Sequence, residues 1–134
     1  MPDLGTVTIT EENVALDGQN DSKIKKIKFV WLSENGGGSA GKATKTTINK
    51  YTGEIIRLVT IPGTAGDAPD PNYDVILYDE DTTDVLMSSG LNRHTSNTEQ
   101  VLASSLGCVV NDKLSLSIVD AGNANTGTVY VYIK

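Results

Sequence analysis

This chain has few of the residue types on which enzyme chemistry most often depends, because its 134 residues include one cysteine and one histidine. Cys108 cannot form a disulfide within the chain, and its apolar neighbours in LGCVV predict a small buried side chain rather than a reactive thiol. His94 lies in the polar segment NRHTSN, where we expect an exposed loop. A hydrolase triad needs a histidine beside a nucleophile and an orienting acid, and nothing around His94 selects such partners. We therefore expect no enzyme activity and no cofactor.

Long apolar runs are missing as well. No segment approaches the roughly 20 apolar residues of a membrane-spanning helix. The first residues, MPDLGTVTIT, have neither the basic start nor the apolar centre of a signal peptide. We therefore expect a protein without a membrane partner. The length of the chain suits a single domain with one core.

Basic residues are scarce in the second half of the chain. Residues 1–66 carry 8 lysines and arginines and 7 acidic residues, whereas residues 67–134 carry 3 and 10, and the net charge is −6. The acidic half argues against nucleic acid as a partner, because nucleic-acid binding requires a basic surface. The one basic cluster, KIKKIK at residues 23–28, is typical of the polar face of a strand, and a patch for an acidic partner is the alternative.

Short alternating segments dominate the rest of the sequence. KLSLSIV, for example, places Leu114, Leu116 and Ile118 on one face of a strand, and TVYVYIK places Tyr130 and Tyr132 on the face opposite its valines. The predicted strands are residues 5–10, 23–33, 42–51, 54–61, 72–79, 84–88, 113–121 and 128–134. These short strands with turn residues between them predict an all-β fold, a single antiparallel β-sandwich of jelly-roll or immunoglobulin-like type with about eight strands.

The organisation of this fold is predicted in less detail at three places. Residues 1–22 are expected to form an N-terminal arm or edge strand, and residues 23–134 the β-sandwich domain. Thr52 and Gly53 are expected to form a turn. Residues 98–104 are predicted to form either one short helical turn or part of an extended crossover between two sheets.

Seven carboxylates crowd into residues 67–84, and two interpretations compete for them. An EF-hand loop that started at Asp79 would need a glycine at its sixth position, which is Asp84, so that motif is absent. A looser calcium site formed by Asp79, Asp81 and Asp84 is one interpretation. The other is a solvated hairpin turn, in which Asp and Thr side chains bond nearby backbone N–H groups while Val85 and Leu86 return to the core.

Five segments, taken in order, carry a resemblance to a known group of proteins. They are WLSENGGGSAGKATKTT (31–47), YTGEIIRLVTIPG (51–63), DPNYDVILYDEDTTDVL (70–86), GLNRHTSNTEQV (90–101) and AGNANTGTVYVYI (121–133). Over residues 29–134 the chain resembles small virion structural proteins of tailed bacteriophages. The resemblance brings no catalytic residues. It implies a capsid cement (decoration) protein, or else a tail or head-tail connector component.

A cement protein of this kind would bind the outer shell of the virion and stabilise neighbouring major capsid subunits. The resemblance implies a homotrimer, with the major capsid protein as its partner. We expect the contacts on the N-terminal strand, the basic cluster and the loop at 89–100. The candidate interface residues are Thr6, Thr8, Lys25, Lys26, Asn92 and Arg93.

A carbohydrate- or receptor-binding sandwich on the virion surface is the alternative from another functional class. Such a site uses exposed aromatic side chains, for which the candidates are Trp31, Tyr51, Tyr73, Tyr78, Tyr130 and Tyr132. Trp31 follows Phe29 and Val30, so we expect it in the core instead. Tyr130 and Tyr132 share a face that is either a sheet surface or a subunit contact.

Overall fold

The computed structural model describes residues 5–14, 24–36 and 40–134. In these ranges the chain forms nine β-strands and two short 3₁₀ turns, at Ala65–Asp67 and Ala103–Ser105. The strands are β1 (Thr6–Val14), β2 (Ile24–Leu32), β3 (Ala43–Thr46), β4 (Tyr51–Pro62), β5 (Asp74–Tyr78), β6 (Glu99–Leu102), β7 (Val109–Asp112), β8 (Ser115–Val119) and β9 (Thr126–Ile133). The all-β prediction is therefore confirmed.

The strands form two antiparallel sheets of unequal size. In the large sheet the order is β1-β2-β9-β4-β6, and β7 pairs with the first residues of β4 on the same side as β6. In the small sheet the order is β3-β8-β5. The two sheets pack face to face in a sandwich-like arrangement, so only one face of the large sheet is covered by the small one.

The core lies between the sheets, where every second residue of each strand points inward. From the large sheet it receives Phe29, Trp31, Val129, Val131 and Ile133, and from the small sheet Leu116, Ile118, Val75 and Leu77, all of them buried. The prediction that Trp31 belongs to the core is confirmed, because its exposed fraction is 1%. No helical segment in the described ranges has the length and apolar character that a membrane crossing requires.

Strand β4 differs from the prediction at its beginning. The expected turn at Thr52 and Gly53 is wrong, because β4 already begins at Tyr51 and its first residues pair with β7. Gly53 has a positive φ of 142° and lies against the backbone of Lys134, where a Cβ would approach the carbonyl oxygen to 2.5 Å. The glycine thus serves a close approach of two strands rather than a reversal of the chain.

Two other segments also differ from their predictions. The expected strand at residues 84–88 is wrong: the carboxylate of Asp84 accepts bonds from the backbone N–H groups of Leu86 and Ser88, and these bonds hold the segment in successive turns. Val85 and Leu86 are nevertheless buried, as predicted. Between residues 98 and 104 the extended alternative prevails as strand β6, and a 3₁₀ turn begins only at Ala103.

Candidate functional site

A row of side chains crosses the large sheet on the face that the small sheet does not cover. Lys26 on β2 lies directly opposite Tyr132 on β9, and Tyr132 lies opposite Arg57 on β4. The neighbouring row repeats the pattern with a second lysine and a second tyrosine. We call this surface the cationic-aromatic face; it consists of Lys26, Lys28, Arg57, Tyr130 and Tyr132.

The two tyrosine rings of this face are in contact with cations. The Lys26 Nζ atom lies 4.5 Å from the centre of the Tyr130 ring and 5.8 Å from that of Tyr132. The Arg57 guanidinium carbon lies 5.2 Å from the centre of the Tyr132 ring. Because β9 lies between β2 and β4, the two cations reach Tyr132 from the strands on its two sides. Such contacts are attractive because the ring face carries negative electrostatic potential.

A β-bulge in β4 gives Arg57 its position. Ile55 pairs with Ile133, but Arg57 pairs with Tyr132, so the register shifts by one residue between them. In a regular strand Arg57 would share the inward face of Ile55, because residues two apart point to the same side. The inserted residue reverses that direction and directs the guanidinium to the outer face. The side chain is held there by a 3.1 Å bond from its Nε to Oε1 of Gln100.

The candidate residues of the N-terminal strand and the basic cluster are separated by the sheet. Thr6, Thr8 and Lys26 lie on the outer face, and the two threonines are exposed. Lys25, the neighbour of Lys26, points to the other side, where its Nζ donates to the Thr52 carbonyl oxygen at 2.7 Å. β1 pairs with β2 over nine residues without a register shift and stands at the edge of the large sheet. Residues 1–4 and 15–23 lie outside the described residues.

The other two candidates, Asn92 and Arg93, lie on a loop beside β5, away from β1. The backbone N–H of Asn92 donates to Oδ1 of Asp74 at 3.0 Å, and its side chain is exposed. The Arg93 guanidinium lies 3.8 Å from Oε1 of Glu99 and donates from Nε to the Leu91 carbonyl. Asn92 is therefore available to a partner, whereas Arg93 is largely used in holding its own loop.

His94 organises the next turn of the same loop. Its Nδ1 accepts bonds from the backbone N–H groups of Ser96 and Asn97, both at 3.0 Å. The backbone N–H of His94 donates to Oε1 of Glu99 at 2.8 Å. The imidazole is exposed, as predicted, and Nδ1 is already bonded within the loop.

The sequence GGSAG at residues 37–41 has the Gly-x-Ser-x-Gly spacing of a hydrolase nucleophile turn, a match that sequence reasoning missed. Residues 37–39 lie outside the described part of the chain. That type of turn joins a strand to a helix, but here strand β3 begins at Ala43. The spacing alone therefore does not indicate a hydrolase.

The acidic segment forms a tight turn after β5. One oxygen of Asp79 accepts bonds from the backbone N–H groups of Asp81 and Thr83, at 3.0 and 2.9 Å. Asp84 accepts bonds from backbone N–H groups of the following turn in the same way. Two of the three predicted calcium ligands are therefore hydrogen-bonded to the backbone. These bonds are those expected of the hairpin-turn interpretation, although the chain does not continue into a second strand.

A different trio of carboxylates comes together at this point. Oxygen atoms of Asp79, Asp81 and Asp112 lie within 4.8 Å of one another, and Asp112 is contributed by the end of β7. We call these three residues the acidic end. Calcium takes about 6 to 8 oxygen ligands, so three carboxylates supply part of a coordination shell. Asp84 is outside this trio, and a calcium site here stays a prediction.

Cys108 lies close enough to Asp79 and Asp84 for their charges to affect its thiol. The side chain is half-buried against the core rather than fully buried. Burial raises the pKa of the Cys108 thiol, and the nearby charges of Asp79 and Asp84 raise it further. A raised pKa lowers the thiolate fraction, which agrees with the expectation of an unreactive cysteine.

A polar cavity of about 290 Å³ opens at one end of the sandwich, lined by Glu11, Glu12, Lys25, Asn49, Lys50 and Tyr51. The Tyr51 hydroxyl donates to Oε1 of Glu11 at 2.7 Å, and the backbone N–H of Asn49 donates to the same oxygen at 3.2 Å. Burial and then the bond to Glu11 raise the pKa of Tyr51 above its ordinary value. These bonds tie β1 to the beginning of β4.

Comparisons of the chain with protein-family models, with curated protein sequences and with solved structures found no match.

Proposed function

We propose that this chain is a non-enzymatic structural protein of a bacteriophage virion, and specifically a capsid cement protein. In this role it binds the outer shell as a homotrimer and stabilises neighbouring major capsid subunits. A tail or head-tail connector component is the alternative within the same class. The observation that carries the proposal is the form of strand β1.

β1 is a long and regular edge strand. It extends over nine residues and contains no proline, no lysine and no bulge against β2. Soluble proteins commonly protect exposed edges with such features, because an open edge pairs with strands of other chains. Within the part of the chain that the structure describes, no strand other than β2 pairs with β1. An edge of this kind suits strand addition to a neighbouring capsid subunit.

Cement function also needs many weak contacts rather than one strong site. Each copy on a shell adds to the total binding, so a modest contact at β1 is sufficient. The exposed side chains of Thr6, Thr8 and Thr10 alternate along its outer face. They offer hydroxyl groups next to the backbone edge without the charge that would repel a second strand.

The proposal is tested by cosedimentation of the purified protein with empty capsids, combined with hydrogen exchange of the bound and free protein. We expect saturable binding, and we expect amide exchange in β1 to slow by roughly tenfold or more on binding. Strand β6, the short strand at the opposite edge, serves as the internal control and keeps its exchange rate. Binding without protection of β1 would remove the strand-addition mechanism, and absence of binding would remove the cement role.

A carbohydrate- or receptor-binding role is the second candidate, because Tyr130 and Tyr132 are half-exposed on the outer face. A sugar would have to displace cations from these rings, since Lys26 lies 4.5 Å from the Tyr130 ring centre. A glycan array probed with the wild type and with Lys26→Ala distinguishes sugar binding from the cement role. Sugar binding that increases in Lys26→Ala would favour this candidate, and two empty arrays would eliminate it.

A further inference from the structure

We propose that the cationic-aromatic face is a self-association surface, which docks onto the acidic end of a second copy of this chain. The contact joins two different surfaces, so the copies associate head to tail. A contact of this type closes into a ring when its rotation allows. That the ring contains three copies rests on the proposed function, whereas the contact itself does not.

The composition of the cationic-aromatic face is that of a protein interface. Tyrosine and arginine are enriched at the centres of such interfaces, because they combine a large apolar area with directional polar groups. Apolar side chains flank the face on both sides: Val30 is 42% exposed and Leu102 is 55% exposed. Leu102 lies directly opposite Arg57 and so extends the same row of side chains.

The face is positively charged in a chain whose net charge is −6. It holds Lys26, Lys28 and Arg57, and one carboxylate, Glu12, lies 4.0 Å from Lys26 at its border. The contacts with the tyrosine rings keep Lys26 and Arg57 close to the sheet surface. Less side-chain entropy is therefore lost when these cations meet a partner.

The same chain carries the complementary surface. The three carboxylates of the acidic end lie within 4.8 Å of one another and repel. Among the described residues the ion pairs are Lys26 with Glu12 and Arg93 with Glu99, so none neutralises this end. A lysine or arginine from a second copy would relieve the repulsion there. Nucleic acid fits less well, because residues 67–134 carry a large excess of acid that repels phosphate.

The test is the mass of the full chain in solution, measured by sedimentation velocity at low and at high salt. We expect an oligomer at low salt and dissociation toward the monomer near 1 M salt, because charges that are farther apart than the Debye length of about 3 Å are then largely screened from each other. Lys28→Glu and Asp81→Lys should each weaken association by about tenfold or more. A chain that carries both substitutions should recover part of the association, because the two exchanged charges attract each other again.

The matched control is Lys45→Glu, which makes the same charge change at an exposed lysine of β3 and should leave the mass unchanged. Thermal unfolding of each variant shows that it is folded. A monomeric wild type at all concentrations overturns the inference, as does association that ignores both charge reversals. Binding of single-stranded oligothymidine that is lost in Lys28→Glu would assign the face to nucleic acid instead.

Failure here is distinct from failure of the cement role. Capsid binding is measured by cosedimentation and by hydrogen exchange in β1, whereas self-association is measured without capsids. A protein that forms the salt-sensitive oligomer but does not sediment with shells contradicts only the proposed function. A monomer that binds shells contradicts the head-to-tail contact and the trimeric state, but not the cement role.

Discussion

The indole ring of Trp31 lies on Gly127 of the neighbouring strand. The two residues are directly opposite each other in the β2–β9 pair. A Cβ atom added at Gly127 would lie 2.4 Å from the ring atom Cζ2, which is far inside van der Waals contact. The position of Trp31, the largest buried side chain of the core, therefore depends on the absence of a side chain at Gly127.

Gly127→Ala is expected to destabilise the protein by about 3 kcal/mol, because neither strand backbone nor indole can move without disturbing the packed core. Urea unfolding of the two proteins measures the difference. Gly66→Ala is the matched control, since no atom lies within 4 Å of a Cβ at Gly66, and it should change stability by less than about 1 kcal/mol. Equal stability of Gly127→Ala and the wild type would contradict the packing of Trp31 described above.

Two buried threonines are expected to respond in opposite ways to valine. The Thr60 hydroxyl is buried near the Tyr73 phenol, but neither group makes a hydrogen bond to any of the described residues in the folded structure. The Thr47 hydroxyl, in contrast, donates to the Asn49 carbonyl and accepts from the N–H of Leu114. Thr60→Val should leave stability unchanged or raise it, and Thr47→Val should lower it by about 1–3 kcal/mol. Chemical denaturation of both variants tests this, and a large loss in Thr60→Val would reveal a bonded hydroxyl.

Stability should fall at alkaline pH through Tyr73. Burial raises the pKa of Tyr73 from 10.0 to about 12, an effect that the nearby Thr60 hydroxyl partly offsets. Below pH 10 the phenol is protonated in both the folded and the unfolded state, and the stabilising effect is fully present. As the pH rises toward 12, only the unfolded chain releases the proton, so stability falls by about 1.4 kcal/mol per pH unit.

Tyr73→Phe should therefore flatten the alkaline loss of stability while leaving neutral stability nearly unchanged. Tyr51, whose pKa is also raised, contributes in the same direction, so the loss should be reduced rather than abolished. Denaturation curves at several pH values between 8 and about 12 compare the two proteins. Identical pH dependence in both would show that Tyr73 titrates normally in the folded state.

The contact between Lys26 and Tyr130 should appear as a measurable coupling. A double-mutant cycle with Lys26→Met and Tyr130→Leu is expected to give an interaction free energy of about 0.5–1 kcal/mol. Lys26→Met paired with Tyr78→Leu is the control cycle, because Tyr78 belongs to the small sheet. Equal coupling in the two cycles would show that the ring contact does not stabilise the fold.

Two carboxylates of the acidic turn, Asp79 and Asp81, are expected to have opposite effects on stability. Asp79→Ala removes the acceptor of two backbone N–H groups and should cost about 1 kcal/mol of stability. Asp81→Asn relieves repulsion within the acidic end and should raise stability by a few tenths, about 0.3 kcal/mol. Thermal unfolding with and without calcium completes the test. If calcium stabilised the wild type and Asp81→Asn abolished that gain, the carboxylates would be metal ligands.

Part of the candidate site could be predicted from the alternation along single strands. Thr6, Thr8 and Lys26, three of the predicted interface residues, share the outer face, and their role in an interface stays a prediction. Lys25 does not, because adjacent residues of a strand point to opposite sides. Arg57 was missed, since the alternation around EIIRLV gives no sign of the bulge that directs it outward.

What the sequence by itself determined is which side chains face the core in a strand that alternates regularly. Leu114, Leu116 and Ile118 enter the core as their spacing predicts, and Tyr130 and Tyr132 point away from it. That information is local, because the direction of a side chain in a strand depends on its immediate neighbours.

Only the tertiary structure decided which strands lie side by side, and with that the chemistry of each surface. The approach of Lys26 to two tyrosines more than a hundred residues later depends on β9 entering the sheet between β2 and β4. The grouping of Asp79 with Asp112 depends likewise on where β5 and β7 end. Alternation specifies a face but not a neighbour, because strand order is set by the packing of the whole core.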